Sequence, residues 1–585
     1  MKTTTGSTGG RPMVMGTRGV VSSGHYLATE IGLGVLRGGG NAMDAAAAVG
    51  FALALLKPHQ CGIAGEAPIL VRSAAEDAVW AISGHGTAPA AATIEHFRGL
   101  GVAAIPSDGF LPAIVPPAVA GWIRLLERFG TIRLADALAP AVELAESGFV
   151  MYDALRDSIA GCAERMRREW PSSAEVFLPG GQPPASGQVW PNPGWAATLR
   201  KLLDADARCR DRLDGLRAAH DAFYRGPIAE AIVAFSRDNP VPDAAGGPHA
   251  GLLTTADFAA YEPRVEEPVR ADYRGVTVFK CGPWTQGPVL LQSLNLLANF
   301  DLRGMGHNSA DTIHTVVECM KLAYADREFY YGDPAFVPVP LERLLSAEYA
   351  AERAGLVRPD ASMDLRPGGL PAIRAEAIGD VDAAVAAAGP ADGDTTKLEV
   401  IYAAGNMVSA TPSGGWLTAS PVIPGMGFPL GTRGQMFSLV PEHPNALQPG
   451  KRPRTTLTPS LAIGGGSMLA FGSPGGDCQD QWALQFFLNV VAFGMGLQEA
   501  VEAPTFWTNH FPGSFYPRSA EPGSLHVETR LDPAVREELA KRGHRLREPG
   551  DWAGGNTLAA SADLAAGVLA AAASPRLEPA YAAAW

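Results

Sequence analysis

Few stretches of the sequence combine residue types and spacings that could do chemistry. The run GSPGGD at 472–477 places two consecutive glycines after a proline, behind the strand-like MLAF at 468–471. Backbone N–H groups with no side chain above them suit an oxyanion, although a tight turn at the surface is the commoner reason for such a pair. Gly32-Leu33-Gly34 followed by Gly38 has the look of a dinucleotide fingerprint. Its third glycine falls one position late, and the run lies inside a helical pattern rather than behind a strand, so nucleotide binding is not expected. The twelve histidines show no ligand spacing and the six cysteines form no CxxC pair, so no metal is expected, and no cofactor either. HExxH, GxSxG and a phosphate loop are absent.

The elements that must position any such site are readable from periodicity. A short strand is expected at 20–22, and helical spacing runs over 25–56 with a break at Gly38-Gly39-Gly40. Two further helices are expected at 120–129 and 134–147. The clearest helix covers 309–331, with Ile313, Val316, Val317, Met320 and Ala323 on one face. His314, Glu318 and Lys321 on the other side read as a solvated face. Residues 1–12 read as a mobile tail, and 361–393, rich in Ala, Gly, Pro and Asp, as a loop or frayed end. Directly afterwards the texture changes: TTKLEVIY at 395–402, the turn AAGN and MVSAT at 407–411 predict a β-hairpin.

Composition bounds the rest. The 585 residues are 47% hydrophobic and 18% charged, enough to bury a large core as several domains or one large α/β unit. A formal charge of −13 gives no support to nucleic-acid or anionic-membrane partners. The longest apolar run, 45–56, is twelve residues, too short for a bilayer span. Residues 1–19 lack the apolar stretch of a signal peptide, so a cytoplasmic protein is expected.

Ordered segments at 38–53, 121–149, 253–275, 314–334, 394–411, 451–461 and 472–477 together resemble the γ-glutamyltranspeptidase family of N-terminal-nucleophile (Ntn) hydrolase proenzymes. The resemblance implies an α+β fold, a four-layer αββα sandwich assembled from fragments 1–394 and 395–585. It implies self-cleavage at Asp394–Thr395, with Thr395 becoming the nucleophile. The α-amine released, with an ordinary pKa of ~7.7–8.0, can serve as base to its own hydroxyl, so no histidine triad is required. Ser413 matches the hydroxyl that hydrogen-bonds the nucleophile, usually a threonine. Gly475 and Gly476 match the oxyanion hole, and Thr455 and Thr456 a hydroxyl pair, usually serines, that contacts the donor carboxylate.

The positions that read a glutamyl zwitterion differ. The family arginine that clamps the α-carboxylate falls at or beside His85, an asparagine becomes Gly415, and the acidic pair falls on Phe437 and Ser438. The stretch after Cys61 also departs, reading GIAGEAP. Arg433 and Arg454 lie near the altered positions and offer a carboxylate another anchor, Trp416 offers an aromatic wall, and the fourteen residues between Met436 and Lys451 look too few for a lid. The expected function is therefore hydrolysis of an amide or acyl bond of a small non-glutamyl molecule, as in cephalosporin acylases and oxamate-type amidohydrolases. The alternatives are C–C hydrolysis, associated with a family branch in alkylproline antibiotic pathways, true γ-glutamyl transfer, and a ligand-binding pseudoenzyme. The partners expected are a small-molecule substrate and the chain's own two fragments, and a higher oligomer is compatible with the sequence.

Overall fold

The computed structural model describes residues 10–370, 394–576 and 579–585. Two seven-stranded sheets, each paired antiparallel throughout, form its centre. Sheet I runs in the order Val14–Gly16, Val568–Ala573, Leu558–Asp563, Ser467–Gly472, Ser460–Gly464, Val276–Lys280, Val269–Tyr273. Sheet II runs Tyr581–Ala584, Gly19–Ser23, Leu398–Tyr402, Met407–Ala410, Ile69–Ser73, Ala78–Ile82, Val265–Glu266. Strands from before and after residue 394 are therefore hydrogen-bonded side by side in both sheets.

The high alanine content has a structural purpose here. Ala560, Ala562, Ala571 and Ala573 point between the sheets with Val20, Leu70, Met407 and Ala470, whereas their neighbours Ala559, Ala570 and Ala572 face the helices outside. This is the two-residue alternation of a strand buried on both faces. Helices Tyr26–Arg37, Ala42–Leu56, Ala118–Phe129 and Leu134–Ser147 cover sheet II, and Pro288–Leu297, Ala310–Tyr330 and Gln479–Val491 cover sheet I. The result is the four-layer αββα sandwich. Gly32 belongs to helix packing: a Cβ there would lie 2.6 Å from Val49 Cγ2 of the next helix. No helix among the described residues is long and apolar enough to cross a membrane.

One expectation is overturned. The polar face of helix Ala310–Tyr330 is not solvated: His314, Glu318 and Lys321 are all buried. Residues 357–370 and His544 close over it. Lys321 Nζ donates to Glu318 Oε1 at 2.7 Å, Arg366 Nη2 to Glu318 Oε2 at 2.8 Å, and His314 Nε2 to the Arg358 carbonyl at 2.7 Å. Local periodicity reports which residues share a face; it cannot report that a distant segment covers it. Residues 361–370 are thus fastened down, and Gly368 N–H also donates to Asp326 at 2.8 Å; the rest of the expected loop, 371–393, lies outside the described residues. His314, Glu318 and His544 bring ligand atoms within 4.8 Å of one another, but both Glu318 oxygens already hold cationic partners.

Burial, with Lys321 and His314 nearby, pushes His544 down from 6.5 to about 3. The unfolded chain then binds the extra proton below about 6.5, so this stabilisation is complete above that pH and is lost as pH falls toward about 3. The melting temperature is expected to fall between pH 7 and pH 5. A His544→Asn protein should show a shallower fall, and equal slopes would remove His544 from the account.

Candidate active site

The hairpin at the centre of sheet II brings Thr395 opposite Ser413, as the register of Leu398–Tyr402 against Met407–Ala410 continues into a bridge between them. Thr395 Oγ1 donates to Ser413 Oγ at 3.2 Å, and Arg433 Nη2 donates to the same oxygen at 2.8 Å. Ser413 Oγ in turn donates to the Asp394 carbonyl at 2.8 Å. The hydroxyl spends its one donor and both acceptor sites. Asp394 is held by its surroundings: Gln60 Nε2 donates to its Oδ2 at 2.5 Å, Thr395 N–H to its Oδ1 at 2.7 Å, and Trp416 Nε1 to its carbonyl at 2.7 Å. In this uncleaved chain Thr395 is 1% exposed.

Gly475 (φ +116°) and Gly476 (φ +54°) form the turn from strand Ser467–Gly472 into a short 3₁₀ segment, Gly476–Cys478, and helix Gln479–Val491. The first N–H groups of a helix lack intrahelical partners and sit at its positive end, which suits a developing oxyanion. Gln479, at the start of that helix, reaches Thr395 Oγ1 with Nε2 at 3.5 Å. The loop is tied down through Asp477. Its carboxylate accepts from Arg327 of the long helix and from Ser514 N–H at 2.8 Å, while Tyr324 Oη donates to its carbonyl at 2.6 Å.

The altered substrate positions fall into two groups. Arg433 is linked to Thr395 through Ser413. It is buried against Glu66, with Nη2 2.7 Å from Oε2 and Nε donating at 2.9 Å, and its Nη1 has no hydrogen-bond partner among the described residues. Its guanidinium lies 5.1 Å from the Trp416 ring centre and 5.7 Å from that of Phe515. Glu66 comes from GIAGEAP, and that stretch packs directly on the loop holding Gly415: a Cβ on Gly62 would lie 2.6 Å from Gly415 O, and one on Gly415 would lie 2.9 Å from Gly65 N. The two departures in sequence are one packed unit in space.

The remaining positions are engaged elsewhere. His85 stacks on Trp284 and donates Nε2–H to the Pro453 carbonyl at 2.7 Å; burial and then Arg433 push it down to about 3, so it is neutral and no replacement for a cationic clamp. Arg454 donates to Glu328 Oε1 at 2.7 Å and to the Arg327 carbonyl at 2.8 Å. Ser438 Oγ and Thr455 Oγ1 accept from nearby backbone N–H groups of their own loops, Val440 at 3.1 Å and Leu457 at 3.3 Å. Thr456 Oγ1 is buried without a partner among the described residues. Residues 437–450 fold into a satellite core, where Phe437, Leu439, Ala446 and Leu447 meet Phe97, Ile105 and Leu111. Sequence reasoning missed Glu66, Gln60, Gln479, Phe515 and the buried Lys57, which burial lowers to about 8 against the pull of Asp394.

The glycine loop is not the free surface turn expected. A Cβ on Gly475 would overlap the Trp482 ring, at a backbone angle only glycine adopts readily, whereas one on Gly476 would lie 3.1 Å from Phe515 in the αL region. Backbone strain and overpacking each cost ~1–3 kcal/mol. Gly475→Ala is therefore expected to lower the melting temperature by about 1–2 °C more than Gly476→Ala, and the reverse order would contradict this packing.

Comparison with known proteins accords with this geometry. Residues 28–584 match the family Gamma-glutamyltranspeptidase. The chain is 34% identical over 561 residues to the Acylase ACY 1 proenzyme of Pseudomonas sp. (strain SE83), covering 94% of this chain and 91% of that protein. Among solved structures, that of LmbA2991T421A is 46% identical with a TM-score of 0.93, over 98% of this chain and 99% of the other. The cephalosporin acylase from Bacillus halodurans is 30% identical with a TM-score of 0.83, over 100% and 99%. With the family matched along almost its whole length, this chain belongs to the gamma-glutamyltranspeptidase family of Ntn hydrolase proenzymes.

Proposed function

We propose that the chain cuts itself between Asp394 and Thr395, and that the freed Thr395 hydrolyses an amide or related acyl bond of a small, non-glutamyl substrate carrying a carboxylate. The observation that carries this reading is the Thr395–Ser413–Arg433 chain of hydrogen bonds, which sets a guanidinium nitrogen without a hydrogen-bond partner among the described residues two contacts from Thr395. After cleavage the Thr395 amine takes the proton of its own hydroxyl as Oγ1 attacks. The Gly475 and Gly476 N–H groups hold the oxyanion, the leaving group departs with the proton, and water releases the acyl group from the ester. A carboxylate on Arg433 would place an adjacent carbonyl near Thr395, as for an oxamate-like amide. The fragments 1–394 and 395–585 would stay together, because their strands interleave in both sheets.

The same nucleophile and oxyanion donors act on the acyl carbon and make no demand for a nitrogen leaving group. A keto acid whose leaving carbon is stabilised as a carbanion is therefore the second reading.

N-terminal sequencing of the smaller fragment should begin TTKLEV, and Thr395→Ala should stay a single chain; any other start would refute the cleavage site. γ-Glutamyl anilide turnover should be weak. Losing two charge-assisted contacts lowers kcat/KM on the order of 10²–10⁴-fold relative to an enzyme that has them. A panel of carboxylate-bearing amides and keto acids, run beside the anilide, tests the substrate class: robust anilide turnover with none on the panel would reverse it.

A further inference from the structure

Self-cleavage poses a problem that substrate hydrolysis does not. Before the cut, Thr395 nitrogen is an amide, so it is no base, and the carbonyl to be attacked is the chain's own. The help for that first reaction must come from groups already placed around Asp394. Two donors converge on its carbonyl oxygen: Trp416 Nε1 at 2.7 Å and Ser413 Oγ at 2.8 Å. Both belong to the loop that follows the hairpin. The glycine turn, by contrast, approaches through Gln479, whose Nε2 meets Thr395 Oγ1 rather than the carbonyl.

We infer that Trp416 is a catalytic residue of self-cleavage, its indole N–H forming with the Ser413 hydroxyl an oxyanion hole separate from the Gly475–Gly476 pair that serves the substrate. This rests on the proposed cleavage at Asp394–Thr395. Preorganisation supports the role. Trp416 is 3% exposed, its ring lies beneath the Arg433 guanidinium and 6.2 Å from Phe515, and its Nε1–H is also shared with the Gln60 carbonyl at 2.9 Å. A donor fixed in this way costs no reorganisation when charge develops on the oxygen. In the step itself the Thr395 Oγ1–C bond forms to the Asp394 carbonyl carbon, and the electron pair of the C=O bond moves onto the oxygen held by Trp416 and Ser413. The C–N bond then breaks, and the proton lost from Oγ1 ends on the Thr395 nitrogen. Water adds hydroxide to the ester carbon and returns a proton to Oγ1, and the new Asp394 terminal carboxylic acid gives its proton to the freed Thr395 amine, leaving a carboxylate. Trp416 is then free of its Asp394 acceptor while Gln60 still holds it.

The test times the appearance of the 394- and 191-residue fragments during cell-free synthesis. It compares the natural chain, Trp416→Phe, and a chain carrying 3-benzothienylalanine at 416, an isostere with sulfur in place of N–H. Loss of one oxyanion donor lengthens the processing half-time ~10²–10³-fold, and the slowing is expected in both variants. The isostere keeps shape and packing, so a merely structural tryptophan predicts the natural half-time for it; that result would overturn the inference even if Trp416→Phe fails to fold. A natural chain that does not cut at 394–395 would instead defeat the cleavage reading on which the inference stands.

Discussion

One hydroxyl carries the organisation of the site. Ser413 Oγ has a single proton to give and two lone pairs to offer, and all three are used: by the Asp394 carbonyl, by Thr395 and by Arg433. Thr395, the peptide bond before it and the cation behind it are therefore fixed relative to one oxygen. Each link has its own requirement. A buried guanidinium costs several kcal/mol of solvation unless it is paired, and Glu66 supplies the partner. Glu66 can reach it only because Gly62 and Gly65 let its segment lie directly on the backbone of 413–415, where a Cβ would collide. Glycines that look like substitutions scattered through the sequence are the condition for one ion pair.

The sandwich would hold such a site together through the proposed cut in the backbone beside it. Leu398–Tyr402 lies between Gly19–Ser23 and Met407–Ala410, so the strand that begins at the nucleophile is hydrogen-bonded on both sides before any cleavage. The inner faces are lined by alanine and other compact side chains, and their alternation along Leu558–Asp563 and Val568–Ala573 serves the core between the sheets and the core under the helices at once. Breaking the peptide bond between Asp394 and Thr395 would remove none of these pairings.

The glycine turn and Thr395 are positioned by different elements. The glycine turn is fixed from sheet I through Asp477, Arg327 and Tyr324, which tie it to the long helix Ala310–Tyr330. Burial works against the Arg327 charge, but Glu328 and Asp477 hold it firmly protonated. Thr395 is fixed from sheet II. Phe515 touches both regions, lying against Trp416 and over the position where a Gly476 Cβ would project. The placement of Thr395 against the glycine turn thus depends on how the two sheets face each other, with the helix charges setting one side of it.

Local pattern by itself determined a good deal. The switch from a Gly/Ala/Pro stretch to alternating β residues at 395–411, the break between helices at Gly38–Gly40, and the helix from Ser309 onward are short-range signals, and the chain folds accordingly. The pairing of Thr395 with Ser413 follows from hairpin register, a separation of eighteen residues. What only the tertiary structure decided lies at longer range. Arg433 and Glu66 are 367 positions apart, Trp416 and Gln60 are 356, and His314 and His544 are 230. Periodicity identifies a polar helix face or an arginine without saying what will cover or neutralise it, because burial and partner choice belong to the assembled layers. That is why the face holding His314, Glu318 and Lys321 read as solvated, why nothing local placed His85 against Trp284, and why Trp416 read as an aromatic wall with no sign of its bond to the Asp394 carbonyl.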